Sequence, residues 1–166
     1  MRNGNGSKRY ETGDAKMGGL EIIKHFEGCR LKAYPDPATR GKPYTIGYGT
    51  TRNAQGGEFK LGETITQEMA DAYLVRDFNA EKDIIRKDPN MAKLPERCLD
   101  ALTSLCYNIK GGFGAFKKSK CYAGIVAKNV ADVFHNWDWG VSQKGVELGL
   151  ARRRAVELAE FLEAWK

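Results

Sequence analysis

A sharp change of texture divides this chain and limits what it can fold into. Between residues 28 and 62 stand seven glycines (Gly28, Gly41, Gly47, Gly49, Gly56, Gly57, Gly62) and three prolines (Pro35, Pro37, Pro43). Glycine loses the most conformational freedom in a helix, and proline removes a donor and clashes with the preceding turn. No helix can run through that stretch. On either side of it, apolar residues recur at helical spacing. The chain must therefore join an irregular, strand-forming segment to a helical remainder.

The flanking patterns are specific enough to place. Leu20 to Gly28 reads as a short helix with Leu20, Ile22, Ile23 and Phe26 on one arc. Glu27 falls on that same arc, where a carboxyl group is out of place. Within the glycine-rich stretch, Tyr44 to Ile46 with Tyr48, and Glu58 to Leu61, have strand character, with a turn at Gln55 to Gly57. Thr66 suits an N-cap for a helix of about 20 residues, roughly 30 Å, that runs to Asp88-Pro89 and carries Met69, Tyr73, Phe78, Ile84 and Ile85. Pro95 opens another helix, with Leu99, Leu102, Leu105, Cys106 and Ile109 as its apolar face, ended by Gly111, Gly112 and Gly114. Ser119 to Ala127, Val130 to Trp137 and Leu150 to Trp165 follow as helices. The last is expected to bury Val156, Leu158, Ala159, Phe161, Leu162 and Trp165. The expected fold is α+β: a small antiparallel sheet lobe and a larger all-helical lobe, joined by a long helix, with a cleft between them.

Composition narrows the function classes. The 166 residues are 42% hydrophobic and 29% charged, which fits a folded chain of about one domain and not a disordered one. No apolar run approaches the roughly 18 residues of a membrane span, so no membrane anchor is expected. Residues 1–16 read as a flexible arm or a cloning scar. A single domain is expected over 17–166, made of 17–65 (first helix and sheet lobe), 66–88 (connecting helix) and 89–166 (helical lobe). No secretory signal is visible at the N-terminus. The net charge of +6 suits a polyanionic partner. No nucleic-acid motif accompanies it, so nucleic acid is not the expected partner. Arg152 to Arg154 beside an apolar face has the make-up of a membrane-surface helix, although Glu157, Glu160 and Glu163 dilute its charge. The four cysteines form no C-x-x-C pair and there are only two histidines, so no metal or other cofactor is expected.

The block from Phe26 to Thr51 carries the chemistry. Glu27 stands at a helix end among apolar neighbours, and Asp36 follows in a proline-bounded turn. Desolvation favours the protonated carboxyl, so an acid at position 27 and an ionised Asp36 would form the pair that glycoside hydrolysis requires. The plainer alternative pairs Glu27 with Arg30 and leaves Asp36 as a turn residue.

The pattern E-G-C-R-L-K-A-Y-P-D at 27–36, followed by T-I-G-Y-G at 45–49, resembles the bacteriophage-type lysozymes, the endolysin family of peptidoglycan muramidases. C-Y-N-I-K-G-G-F-G-A-F-K-K-S at 106–119, F-H-N-W at 134–137 and G-L-A-R-R-R-A-V-E at 149–157 are similar to later segments of that family. The resemblance implies a muramidase that cleaves the β-1,4 bond between N-acetylmuramic acid and N-acetylglucosamine. In it Glu27 is the general acid, Asp36 the base or stabilising carboxylate, and Thr45 the residue that positions water. It also implies an ion pair from Glu27 to the last helix, with Arg153 the first choice and Arg152 the second. It points to Tyr107, Asn108, Ser119 and Thr51 as glycan contacts, and Tyr34, Tyr48 and Trp137 are further candidates.

Three departures stand out. The interval from Asp36 to Thr45 is longer than in the family, so Ala38 to Pro43 must bulge out as a turn. Thr50 stands where many relatives have histidine and competes with Thr45 for the water. Lys110 replaces a glycine and would add positive charge to the cleft rim. The implied setting is synthesis in the host bacterial cytoplasm and action on the wall or periplasm, as a monomer, with delivery by a separate membrane-lesion protein or export apparatus. A lytic transglycosylase and a non-catalytic basic wall-binding module are the alternatives.

Overall fold

The computed structural model describes residues 17–36, 39–138 and 147–165. The expected N-terminal arm, residues 1–16, lies outside the described residues, as do Pro37, Ala38, residues 139–146 and Lys166. The elements run α1 (Gly19–Glu27), β1 (Arg30–Pro35), β2 (Tyr44–Gly47), α2 (Gln67–Arg86), a 3-10 turn (Met91–Lys93), α3 (Glu96–Asn108), α4 (Gly112–Phe116), α5 (Lys120–Ala127), α6 (Val130–His135) and α7 (Leu148–Ala164).

The sheet is smaller than the sequence suggests and starts earlier. β1 and β2 form an antiparallel pair, with Tyr34 opposite Thr45 and Arg30 opposite Gly47. The expected strand at Glu58 to Leu61 is not formed, and only isolated bridges, Arg52 to Glu58 and Lys32 to Thr64, mark that region. Arg30–Pro35 escaped the sequence reading because alternating charged residues and a terminal proline mask its strand character. Gly47 has a φ of 62° and its α-carbon lies close to Ala70, so a side chain there would be strained and would press on α2.

The helices follow local signals. Thr66 Oγ1 accepts the Met69 N–H at 3.2 Å, a cap that contributes about 1 kcal/mol. Asp88-Pro89 stops the helix thus begun. Gly111 and Gly112 do not simply end α3, which stops at Asn108. Gly112 instead opens the short helix α4, whose Phe113 N–H donates to Glu81 Oε1 at 2.7 Å.

Two apolar cores result. One, in the helical lobe, gathers Leu99, Leu102, Leu105, Phe116, Trp137 and Phe161 around α3. The other lies under the sheet and joins Ile23, Ile46 and Phe59 to Tyr73, Leu74 and Phe78 of α2. Met69 and Ile84, expected on the buried face of α2, are exposed. The α7 expectation also needs correction. Arg153, Arg154, Glu157 and Phe161 are its buried residues, whereas Ala159 is exposed and Val156, Leu158, Leu162 and Trp165 are only partly covered. With two of three arginines buried, α7 is no membrane-surface helix. Among the described residues no helix is long and apolar enough to cross a membrane.

Candidate active site

Glu27 is the last residue of α1, and Gly28, at a φ of 66°, turns the chain away into β1. Ile22 and Ile23 fill the core, but the Glu27 side chain is 27% exposed and is not enclosed by apolar groups. Its Oε1 accepts from Arg153 Nη1 at 2.5 Å and from Asn108 Nδ2 at 3.1 Å. Arg30, the partner offered by proximity in sequence, lies instead over the ring of Tyr34, 4.5 Å from its centroid. The expected dry environment of Glu27 is thus replaced by a polar clamp from α3 and α7.

Asp36 and Thr45 come from the sheet side. The turn that follows Asp36 closes back on it. Its Oδ1 accepts the Thr39 N–H at 3.0 Å, its backbone N–H donates to Gly41, and its carbonyl accepts from Arg40. The long interval to Thr45 is therefore absorbed by a turn organised on Asp36 itself. Glu27, Tyr34, Asp36, Thr45, Tyr48, Gly49, Tyr107 and Asn108 line one cleft of about 440 Å³. On the other side of Glu27 and Asn108 a second hollow of about 550 Å³ includes Phe26, Ile109, Lys110, Leu150 and Arg153. Lys110 lies on its wall, in keeping with a basic rim.

The tyrosines are anchored as well as cleft-lining. Tyr107 Oη donates to the Tyr48 carbonyl at 3.1 Å, and burial pushes its phenol above the usual range. Tyr48 Oη accepts from Gln67 Nε2 at 3.1 Å. Thr50 is buried and its hydroxyl is held between Asp77, to which it donates, and Arg76 Nη2 at 3.1 Å. Thr45 lines the main cleft, whereas Thr50 lines a neighbouring hollow of about 240 Å³. Thr51 lines that hollow too, which shares Gly49 and Tyr107 with the main cleft.

The sequence of the chain matches the phage lysozyme family over residues 24–157. The chain belongs to that family. An endolysin of Acyrthosiphon pisum secondary endosymbiont phage 1 is 36% identical over 88% of this chain and 96% of its own length. Among solved structures, the endolysin of Escherichia coli O157:H7 phage FAHEc1 superposes with a TM-score of 0.70 at 33% identity, covering 87% of this chain and 90% of the other. The muramidase domain of SpmX from Asticaccaulis excentricus does so at 0.70 and 31% identity, covering 93% of this chain and 99% of the other. Several endolysins are longer, and the chain spans 52% to 58% of their length. This phage lysozyme has a lysozyme-like α+β fold and is an enzyme that degrades peptidoglycan, the substance of the bacterial cell wall. The reading as a non-catalytic basic module is thereby overturned.

Two residues expected to touch glycan lie elsewhere in this lysozyme. Trp137 is 2% exposed and packs between Phe116 and Phe161, because its large ring fills the helical core. Ser119 serves as the N-cap of α5, its Oγ accepting the Tyr122 N–H at 3.0 Å. Conversely, the clamp behind Glu27 includes residues that sequence reasoning passed over. Arg154 donates to Asn108 Oδ1, Glu157 holds both arginines, and Ser104 holds Arg153. The spacing of Arg153, Arg154 and Glu157 could have suggested ion pairs along one helix face. A run of charges usually faces water, so its burial had no signature in the sequence.

Proposed function

We propose that this lysozyme is a muramidase that hydrolyses the β-1,4 bond between N-acetylmuramic acid and N-acetylglucosamine, with Glu27 as general acid, Asp36 as general base and Thr45 as the group that orients the attacking water. The observation that carries the reading is the single cleft lined by all three side chains. Glu27 reaches it from the helical side, held by Arg153 and Asn108. Asp36 and Thr45 reach it from the sheet side.

In this mechanism a sugar chain lies along the cleft with its scissile oxygen at Glu27. The carboxyl proton passes to that oxygen as the C1–O bond breaks. A water held by Thr45 loses a proton to Asp36 and attacks C1 from the opposite face. Tyr34 and Tyr48 offer ring faces and edges for the sugar C–H groups. No cofactor takes part. The setting that fits this chemistry is a monomer that reaches the wall through a lesion or an export device made by another protein.

Loss of turbidity of purified peptidoglycan, measured for the parent, Glu27→Gln, Asp36→Asn and Thr45→Val, tests the assignment. Each substitution is expected to lower the rate by roughly 10²–10⁴-fold with the circular dichroism spectrum unchanged. Full activity in Glu27→Gln would sink the proposal. Mass spectrometry of the products separates the remaining alternative: hydrolysis leaves a reducing sugar, whereas a lytic transglycosylase leaves an anhydro sugar and does not need Asp36.

A further inference from the structure

The geometry points to Glu157 as a positioning residue for the catalytic acid, an inference that rests on the role proposed for Glu27. Glu157 belongs to α7, is fully buried and touches neither cleft. Its Oε1 accepts from Ser104 Oγ at 2.7 Å and from Arg153 Nε at 2.9 Å, and its Oε2 accepts from Arg154 Nη1 at 2.6 Å.

Each arginine carries this anchorage onward. Arg153 is fixed at Nε by Glu157 and at Nη2 by the Ser104 carbonyl at 3.0 Å, which leaves Nη1 aimed at Glu27 Oε1. Arg154 Nη2 donates to Asn108 Oδ1, and this decides which way the Asn108 amide faces. With Oδ1 turned to the arginine, Nδ2 is turned to Glu27 Oε1. Two chains of hydrogen bonds therefore leave one buried carboxylate and converge on a single oxygen of the acid. That oxygen is immobilised, and the carboxyl plane is set for proton delivery from Oε2. An arginine side chain is long and flexible, so without Glu157 neither guanidinium would be held at one angle. The charges also require it. Two guanidinium groups buried beside Glu27 need a second carboxylate to balance them. Burial already lowers the Arg154 guanidinium from its ordinary range, against the pull of Glu157.

The charged and polar groups that share a hollow with Glu27 include Arg153 and Arg154 on α7, Glu147 just before it, Asn108 and Tyr107 on α3, Lys110 beyond α3, and Tyr34, Asp36 and Tyr48 on the sheet side. Burial raises all three tyrosines, so they remain neutral from acid to neutral pH. Removing the charge of Glu157 leaves the two arginines without the carboxylate that holds them, so neither Arg153 Nη1 nor the Asn108 amide is kept in register with Glu27 Oε1.

The experiment uses the full chain with soluble peptidoglycan fragments, and measures kcat, KM and thermal melting. In Glu157→Gln, kcat should fall about tenfold or more while KM stays within about twofold. A folded Glu157→Gln with the parent's kcat overturns the inference. If that variant melts below the assay temperature, Ser104→Ala decides, since it removes one anchor of Glu157 without changing charge. A several-fold lower kcat at unchanged KM supports the inference, and an unchanged kcat overturns it. Glu27→Gln is measured alongside. If it retains activity, the assignment of the acid fails by itself, whatever position 157 does.

Discussion

The two lobes contribute to one cleft but are held by different forces. The helical lobe has a packed apolar core around α3, in which Leu102, Leu105, Phe116 and Phe161 are fully enclosed. The sheet lobe has two short strands, and an isolated pair of that size is marginal in water. It leans on α2 through Ile46, Ile65 and Phe59, and is tied down by polar contacts. Arg76 is the main tie: it donates to the Arg52 and Asn53 carbonyls at 2.8 Å each, to Thr50, and to Asp77. Glu27, the proposed acid, is gripped from the helical side, and Asp36, the proposed base, stands on the sheet side. The side chain that must hold one orientation is therefore fixed by the lobe that can hold it most rigidly.

This contrast can be broken in order of expected effect. Phe161→Ala should cost about 3–5 kcal/mol by opening a cavity in the helical core, read as a lower denaturant midpoint for the whole chain. Arg76→Met should cost less, about 1–3 kcal/mol, and its effect should be local. Amide exchange should accelerate over residues 50–58 while α3 and α7 keep their protection; uniform acceleration would contradict the separate tie.

A smaller effect concerns pH in the helical lobe. Burial pushes the Asp88 carboxyl up, but hydrogen bonds from Lys117, the Asn90 N–H and Tyr122 outweigh it and hold the group below its usual range. A carboxyl lowered on folding stabilises the protein above its unfolded value, about 3.9, and loses that contribution as pH falls through the folded value. Asp88→Asn should therefore lower Tm at pH 7, and the gap to the parent should close below about pH 4. Smallest of all is a difference in thiol reactivity that leaves stability untouched. Burial pushes Cys98 up to about 11, Cys121 up to about 12 and Cys106 well above its ordinary value, whereas Cys29 beside the sheet is partly exposed. A maleimide at pH 7 should label Cys29 first, and the other three only on unfolding.

Much of the helical lobe was legible because its signals are short-range. Thr66 caps where its sequence context says it should, and the spacing of Leu99, Leu102, Leu105 and Cys106 predicts the buried face of α3. Glu27, Asp36 and Thr45 were singled out from their own motif. The sheet was harder to read. Arg30–Pro35 forms a strand through pairing with Tyr44–Gly47, and Glu58 to Leu61 fails to form one for want of a continuous partner. Trp137 illustrates the same limit: an aromatic residue near a candidate site can serve sugar or core, and only packing chooses.

Residue order alone determined the helix frame and the breaker-rich insertion, and it marked Glu27 and Asp36 as a carboxylate pair. Those features depend on neighbours a few positions away, where backbone sterics and capping act. Tertiary structure alone decided that Arg154 and Glu157 lie inside instead of facing solvent, and packing, not nearness in sequence, brings Arg153 rather than Arg30 to Glu27. The reason is that an ion pair forms wherever packing brings opposite charges together with their hydrogen bonds satisfied. Here the crossing of α7 over α1 and α3 supplied that meeting point from residues distant in the chain.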